Sequence, residues 1–536
     1  MLRLTWVQPE DLLGHELRQA AQDGRDATGI VRRWAAAGGH PAPGRDGASA
    51  RPGPPGLRAL AEELLDELAL LPTPLAGTEP TPGPVITVTP GPDNPRRTEP
   101  SPHTEPAPGT EPVPRTRPAR RTEPSPHAEP SPHAEPSPRT QPAPRTEPAP
   151  RPESASRTEV GTGAAATAQR TELDRLHAAW LGRAIGCLLG KPVEKIPLPG
   201  IRAISRSTGN WPLRTWFTER RLDPRIAAAY PWNRRSRPTS LAENIDGMPE
   251  DDDLNYPLLN LLLLRRHGHG FTTDDVARLW LDELPAGRTF TAERVAYRNL
   301  LAGLEPPLTA TYRNPFREWI GAQIRADVFG WTNPGAPARA AELARRDAVL
   351  SHTANGVYGA MFVAAAIAHA AGPAPTTVHE TLTVALAHIP PNSRYAQAIR
   401  FGVDTARAEP TGTPAGFERV VDTLHARYAA DHHWVHVLPN AALLAAALTH
   451  ADGDFAGAIC RAVSGGWDTD SNGATAGSLT GLLAGDPDSL GERWTAPLKN
   501  RLATGIGDFD GVGFDELARL TLETREFEGR AYPRRP

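Results

Sequence analysis

Apolar residues return at helical spacing over most of this chain, and seldom in the strict alternation of a half-buried strand. Between Gly56 and Leu71, the side chains Leu57, Leu60, Leu64, Leu65, Leu68 and Leu71 recur every three or four positions, which predicts a short amphipathic helix. Glu10 to Trp34 has a similar character. Beyond Thr171 the chain runs through Ala- and Leu-rich segments of helical length, broken by Gly, Pro and Asn. The pattern predicts an all-α fold.

From Pro72 the periodicity disappears. Tandem units such as Glu123 to His127 and Glu129 to His133 place proline at every second or third position. Proline removes amide donors, and the scarcity of large apolar side chains leaves little to offset the entropy of ordering. The expected organisation is a helical segment over 1–71, a disordered, low-complexity Pro-rich linker over 72–168 and a helical domain over 169–536. With 58 prolines in 536 residues and a mean hydropathy of -0.43, length alone overstates the core.

Charge narrows the partners. A formal net charge of -4 and a pI of about 6.5 give no basic footprint for a nucleic-acid backbone. The only cysteines, Cys187 and Cys460, argue against a disulfide framework or a thiolate-rich zinc site and suit a reducing cytoplasm. Glu10 and Asp11 interrupt what would be the apolar core of a signal peptide, and no later run is read as membrane-spanning. The expectation is a soluble, cytoplasmic monomer.

Four clusters carry candidate chemistry. In the first, Gly182, Gly186 and Gly190 repeat at every fourth position before Pro192 and Glu194. Each glycine costs about 1 kcal/mol against alanine in a helix interior, so three in register suggest that another backbone approaches closely. Glu194 then emerges beyond the helix end, where a solvated surface acid is the plainer alternative.

The second cluster is Glu250-Asp251-Asp252-Asp253, entering an apolar stretch from Leu258 to Leu264 that only Asn260 interrupts. Acids in a first helical turn complement the macrodipole by about 0.3–1 kcal/mol each. Four adjacent carboxylates repel one another, however, and a divalent cation would relieve them. The third cluster, Gly465-Gly466-Trp467-Asp468-Thr469-Asp470-Ser471, precedes a helix with glycines at 473, 477, 481 and 485. The repeated spacing predicts that this helix and the first lie side by side in the core. Capping is the alternative role of Asp470 or Ser471, but an oxygen-only set selects magnesium, manganese or calcium over zinc. The fourth cluster, Ser351-His352-Thr353-Ala354-Asn355-Gly356, opens another Ala-rich helix; His352 either caps it or faces a ligand.

Taken in order, these clusters resemble the ADP-ribosylglycohydrolase family, of the dinitrogenase reductase-activating glycohydrolase kind, over roughly Thr171 to Leu502. The resemblance implies a compact orthogonal helical domain holding two magnesium or manganese ions. It implies Asp251, Asp252, Asp468, Asp470 and Ser471 as ligands, together with Glu250, which stands where the family usually has a hydroxyl and whose longer arm changes the geometry. It gives Glu194 a catalytic or metal-adjacent role and places Ser351, His352, Asn355 and Gly356 near ADP-ribose. Trp467 is read either as an aromatic wall of the site or as core. The implied reaction is metal-dependent release of ADP-ribose from a modified protein or small molecule. The alternatives are an ADP-ribose-binding or structural protein with weakened catalysis, and an oxygen-ligated phosphohydrolase. The stretch from Arg202 to Asn244 has no diagnostic motif, so the linkage cleaved is not read from it.

Overall fold

The computed structural model describes residues 8–41, 44, 49, 52–81 and 159–526. Among them there is no strand ladder, only the isolated bridges Met248 with Leu502 and Trp319 with His436. The all-α expectation holds. The linker expected over 72–168 lies outside the described residues from 82 to 158.

Three helices form the amino-terminal segment: α1 (Pro9–Gln22), α2 (Thr28–Ala36) and α3 (Pro55–Ala69). Leu64, Leu65 and Leu68 of the predicted leucine stripe are buried, with Leu12, Leu13, Ile30 and Trp34. These side chains do not close a core of their own. They join Phe316, Trp319, Ile320, Ile324 and Val435 of the larger helical part in one hydrophobic cluster, because three short helices cannot bury their apolar faces against each other alone. Within this chain the segment docks on the larger helical part.

The packed chain also continues past Leu71, where the linker was expected to start. Glu79 is 6% exposed; it accepts from Asn355 Nδ2 at 2.8 Å and pairs with Arg394 at 2.7 Å. Tyr358 donates its hydroxyl to the Pro80 carbonyl. A single carboxylate with buried partners thus holds a proline-containing stretch that composition alone assigns to a tether.

The remaining elements that position the site are α4 (Glu159–Gly190), α5 (Asp252–His267), α6 (Ala354–Ala371), α7 (Arg394–Ala408), α8 (Val437–Ala451), α9 (Phe455–Ser464) and α10 (Thr469–Ala484). α4 begins inside the stretch expected as linker. α6 is long and apolar enough to cross a membrane by length and composition, contrary to the sequence reading, and 89% of it is buried inside the protein. Its alanines let neighbours approach from all sides, so it is a core helix.

The two glycine rows meet as predicted. A methyl group on Gly182 would lie 2.9 Å from the carbonyl carbon of Gly477, and one on Gly473 would lie 2.8 Å from that of Gly186, closer still to the oxygens. Ordinary carbon contacts are about 3.5–4.0 Å. α4 and α10 therefore touch backbone to backbone, and Thr469 Oγ1 donates to the Gly190 carbonyl at 2.9 Å where the C-terminal end of α4 reaches the first turn of α10. This crossing brings the first and third clusters together.

Candidate active site

At that crossing lies a cavity of about 460 Å³, lined among others by Glu194, Glu250, Asp251, Asp252, Asp253, Asp468, Asp470 and Ser471. Three chain segments deliver these groups, each for a local reason. The turn Lys191–Val193 ends α4 and turns the chain so that Glu194 faces back toward the helix start of α10. Asp251 is the N-cap of α5, its side chain accepting from the Asp253 amide at 3.0 Å; the capping considered for Asp470 or Ser471 does not occur, because both lie inside α10. Asp468 precedes α10 and makes no side-chain cap bond. Its amide donates to Asn440 Oδ1 at 3.1 Å, and Asn472 donates to the same oxygen at 2.7 Å, which ties the turn to α8.

The acids divide into those that form an ion pair and those that do not. Lys191 forms an ion pair with Asp251. Burial pushes the Asp251 carboxyl up, but the adjacent ammonium outweighs burial and holds it below the usual range. Asp253 lies 3.4 Å from the buried guanidinium of Arg183, which also pairs with Asp327 at 2.9 Å, and Ser471 Oγ donates to Asp253 at 3.4 Å; burial and Asp251 nevertheless outweigh Arg183 and push the Asp253 carboxyl well above the usual range. Glu250 pairs with Arg288 at 2.8 Å. Glu194 accepts from Asn233 Nδ2 at 2.7 Å and lies 2.8 Å from Lys195 Nζ.

Asp252, Asp468 and Asp470 pair with no cationic side chain among the described residues. Burial, then the neighbouring acids Asp251, Asp470 and Glu194, push Asp252 well above the carboxylate range. Burial and Asp470 do the same to Asp468. Burial, Glu194 and Asp251 push Asp470 up to about 7. Without a further cation these groups must take up protons, so the residues present fit a divalent ion, and their oxygen donors fit a hard one.

Another donor set is tighter. Cys187, Asp251 and Asp253 offer atoms all within 4.8 Å of one another. We favour the acids that form no ion pair as the cation locus, because Asp251 and Asp253 already face Lys191 and Arg183. Burial, then Asp251 and Asp253, push the Cys187 thiol well up and disfavour the thiolate a metal would need.

Five residues expected beside the substrate are not among those lining this cavity. Ser351 and His352 are fully buried and belong to a polar layer behind its wall. Ser351 Oγ accepts from Arg325 Nη2 at 3.0 Å and lies 2.8 Å from His352 Nδ1. Arg325 is held by Asp347 at 2.5 Å and Glu293 at 2.6 Å, and burial holds His352 well below its usual range. Asn355 is committed to Glu79 and Glu318, at 2.8 and 2.9 Å. Gly356 packs against the Arg317 carbonyl, which a methyl group would approach to 2.6 Å. Trp467 stacks on His425 with ring centroids 4.0 Å apart and planes 4° apart, the core alternative. Each has polar or aromatic partners that are distant in sequence, which local pattern cannot reveal.

Conversely, the cavity includes groups that motif reading missed. Asn233, Arg235, Ser236 and Thr239 come from the stretch without a diagnostic motif, and Phe290 and Trp434 supply aromatic faces. Lys191 stood in the first cluster, but its register gave no sign that its ammonium reaches Asp251. A second cavity, of about 270 Å³, separates residues 65–81 from the body. Its carboxylates Glu16, Asp23, Glu79 and Glu318 are paired with Arg25, Arg317 and Arg394.

A sequence model of the family described as ADP-ribosylglycohydrolase matches residues 168–528. Among solved structures, a chain of an "ADP-ribosylglycohydrolase-related protein complex" is similar at 20% identity, over 67% of this chain and 99% of that one, with a TM-score of 0.42. No curated protein matches.

Proposed function

Since this chain belongs to the ADP-ribosylglycohydrolase family, we propose that it hydrolyses an ADP-ribosyl glycosidic bond, releasing ADP-ribose from a modified protein or small molecule. One observation carries the reading: Asp252, Asp468 and Asp470 converge with Glu194 on an open cavity, with no ion-paired cation of their own. Magnesium or manganese suits such oxygens. Asp252, Asp468 and Asp470 would hold it, with Ser471 adjoining. When bound, it would supply Lewis-acid orientation of ribose hydroxyls.

The chain's own groups account for the rest. Glu194, held by Asn233 and Lys195, accepts a proton as a water oxygen bonds to the anomeric carbon. The bond to the leaving nitrogen or oxygen breaks, and the proton passes to the departing group. The volume of about 460 Å³ lies within the common range of small-molecule sites, roughly 300–1,000 Å³. Phe290 and Trp434 offer faces for an adenine, while Arg235, Arg288 and Lys195 offer charge to a pyrophosphate.

The double variant Asp468→Ala, Asp470→Ala should stay folded and lose magnesium-dependent release of ADP-ribose; retained turnover refutes the reading. A panel of arginine-, serine-, nucleobase- and phosphate-linked substrates identifies the bond cleaved. The Lys191–Asp251 ion pair favours one rival, an ADP-ribose-binding protein with weakened catalysis. Calorimetric binding of ADP-ribose with no metal-dependent product would establish that rival instead.

A further inference from the structure

Lys191 places an ammonium group among the carboxylates on which the proposed reaction depends. Its Nζ pairs with Asp251 Oδ2 and lies 3.3 Å from the Glu250 carbonyl oxygen. The Lys191 and Asp251 side chains are only 9% and 7% exposed. The backbone there has little freedom: Lys191 follows Gly190, which touches the first turn of α10, where a methyl group could not fit against Thr469 and Asp470. The lysine is thus aimed at Asp251 by the same helix crossing that assembles the site.

The five aspartates are consequently unequal. Asp251 has Lys191, and Asp253 has Arg183, which is itself fully buried and anchored on Asp327. Those two acids and Cys187 form the closest donor set, yet a divalent ion there would share a carboxylate with one full positive charge and face a second. Like charges so placed repel strongly where water is excluded. Asp252, Asp468 and Asp470 form no ion pair among the described residues, and Lys191 acts on Asp252 and Asp470 only from beyond pairing distance.

We propose that Lys191 takes one of the two cation positions in this site, so that the chain binds a single divalent ion, on Asp252, Asp468 and Asp470. A tethered ammonium supplies fixed positive charge at one end of the acid cluster and leaves one exchangeable ion at the other. The inference rests on the hydrolase reading for the existence of the site. It alters the ion count that the sequence resemblance implied.

Counting bound manganese tests it without reference to turnover. Full-length protein is titrated with Mn²⁺ while the free ion is followed by electron paramagnetic resonance, in the wild type and in Lys191→Met. One ion per wild-type chain and two per variant chain is the expected result, with a Mn–Mn coupled spectrum only in the variant. Two ions in the wild type overturn the proposal and leave the hydrolase reading standing. No ion in the wild type overturns the proposal together with the metal centre of that reading. One ion without release of ADP-ribose from any substrate in the panel sinks the hydrolase reading alone. If Lys191→Met still binds one ion, Lys191 does not fill the second position. Circular dichroism establishes folding of the variant, and Lys191→Gln replaces it if Met fails to fold.

Discussion

Substituting alanine for Gly473 tests whether the backbone contact between α4 and α10 is what aligns the acids. The added methyl group would lie 2.8 Å from the carbonyl carbon of Gly186 and nearer to its oxygen. Restoring an ordinary carbon contact of about 3.5–4.0 Å requires the helices to part by roughly 1 Å. Overpacking of this kind costs about 1–3 kcal/mol, against which alanine gains about 1 kcal/mol of helix propensity. The net loss is then about 1 kcal/mol, a shift of a few degrees at most in Tm for a unit this large. The chemistry should suffer more. Asp470 is three residues before Gly473, and ligand distances tolerate only about 0.2 Å, so a displacement of roughly 1 Å separates Asp468 and Asp470 from Asp252. Supporting changes of this type typically lower metal affinity about 10–100-fold. We expect Gly473→Ala to melt close to the wild type and to bind Mn²⁺ at least tenfold more weakly. The control is Gly507→Ala, since Gly507 has no neighbour within 4 Å of the added methyl; it should change neither property. Unchanged Mn²⁺ affinity in Gly473→Ala would refute the claim that this contact sets the site.

The docked segment gives two further predictions. Glu79→Ala removes the carboxylate that accepts from Arg394 and Asn355, and breaking such a buried pair should cost about 3 kcal/mol, measured by urea denaturation. The second concerns pH. Glu16, Asp23, Glu79 and Glu318 share Arg25, Arg317 and Arg394, and burial, despite Arg394, pushes Glu318 from 4.5 up to about 7. The folded chain then retains a proton that the unfolded chain releases. That stability is fully present below pH 4.5 and is lost as pH rises through about 7, by up to about 3 kcal/mol. Glu318→Gln should flatten this slope in denaturation series at fixed ionic strength; an unchanged slope places the titrating group elsewhere.

What could be read from the chain followed from short-range regularities. The leucine stripe of α3 specifies a helix because a period of three to four residues suits no other element. The four-residue glycine spacings of α4 and α10 predicted a close approach because a glycine row lets backbones meet, and the fold bears that out. The acids of the second and third clusters were legible because their repulsion calls for an explanation wherever they go. The substrate-side residues were not legible in the same way. His352 and Asn355 are ordinary polar residues at a helix start, and only Arg325, Glu79 and Glu318, distant in sequence, decide that they point into polar networks rather than into the acid cavity.

The sequence by itself determined helix, glycine contact and excess negative charge, since each depends on neighbours within a turn or two. Tertiary structure alone decided which carboxylates keep that excess. Lys191 and Arg183 form ion pairs with Asp251 and Asp253, while Asp252, Asp468 and Asp470 form none among the described residues, because electrostatic balance depends on distance in space and on burial, neither of which order along the chain encodes. It also decided that Glu79 is buried in a stretch that is otherwise mostly exposed. One buried carboxylate, Glu79, meeting Arg394 and Asn355, anchors a stretch whose composition argues for a tether, and the weight of that contact comes from partners 315 and 276 positions away.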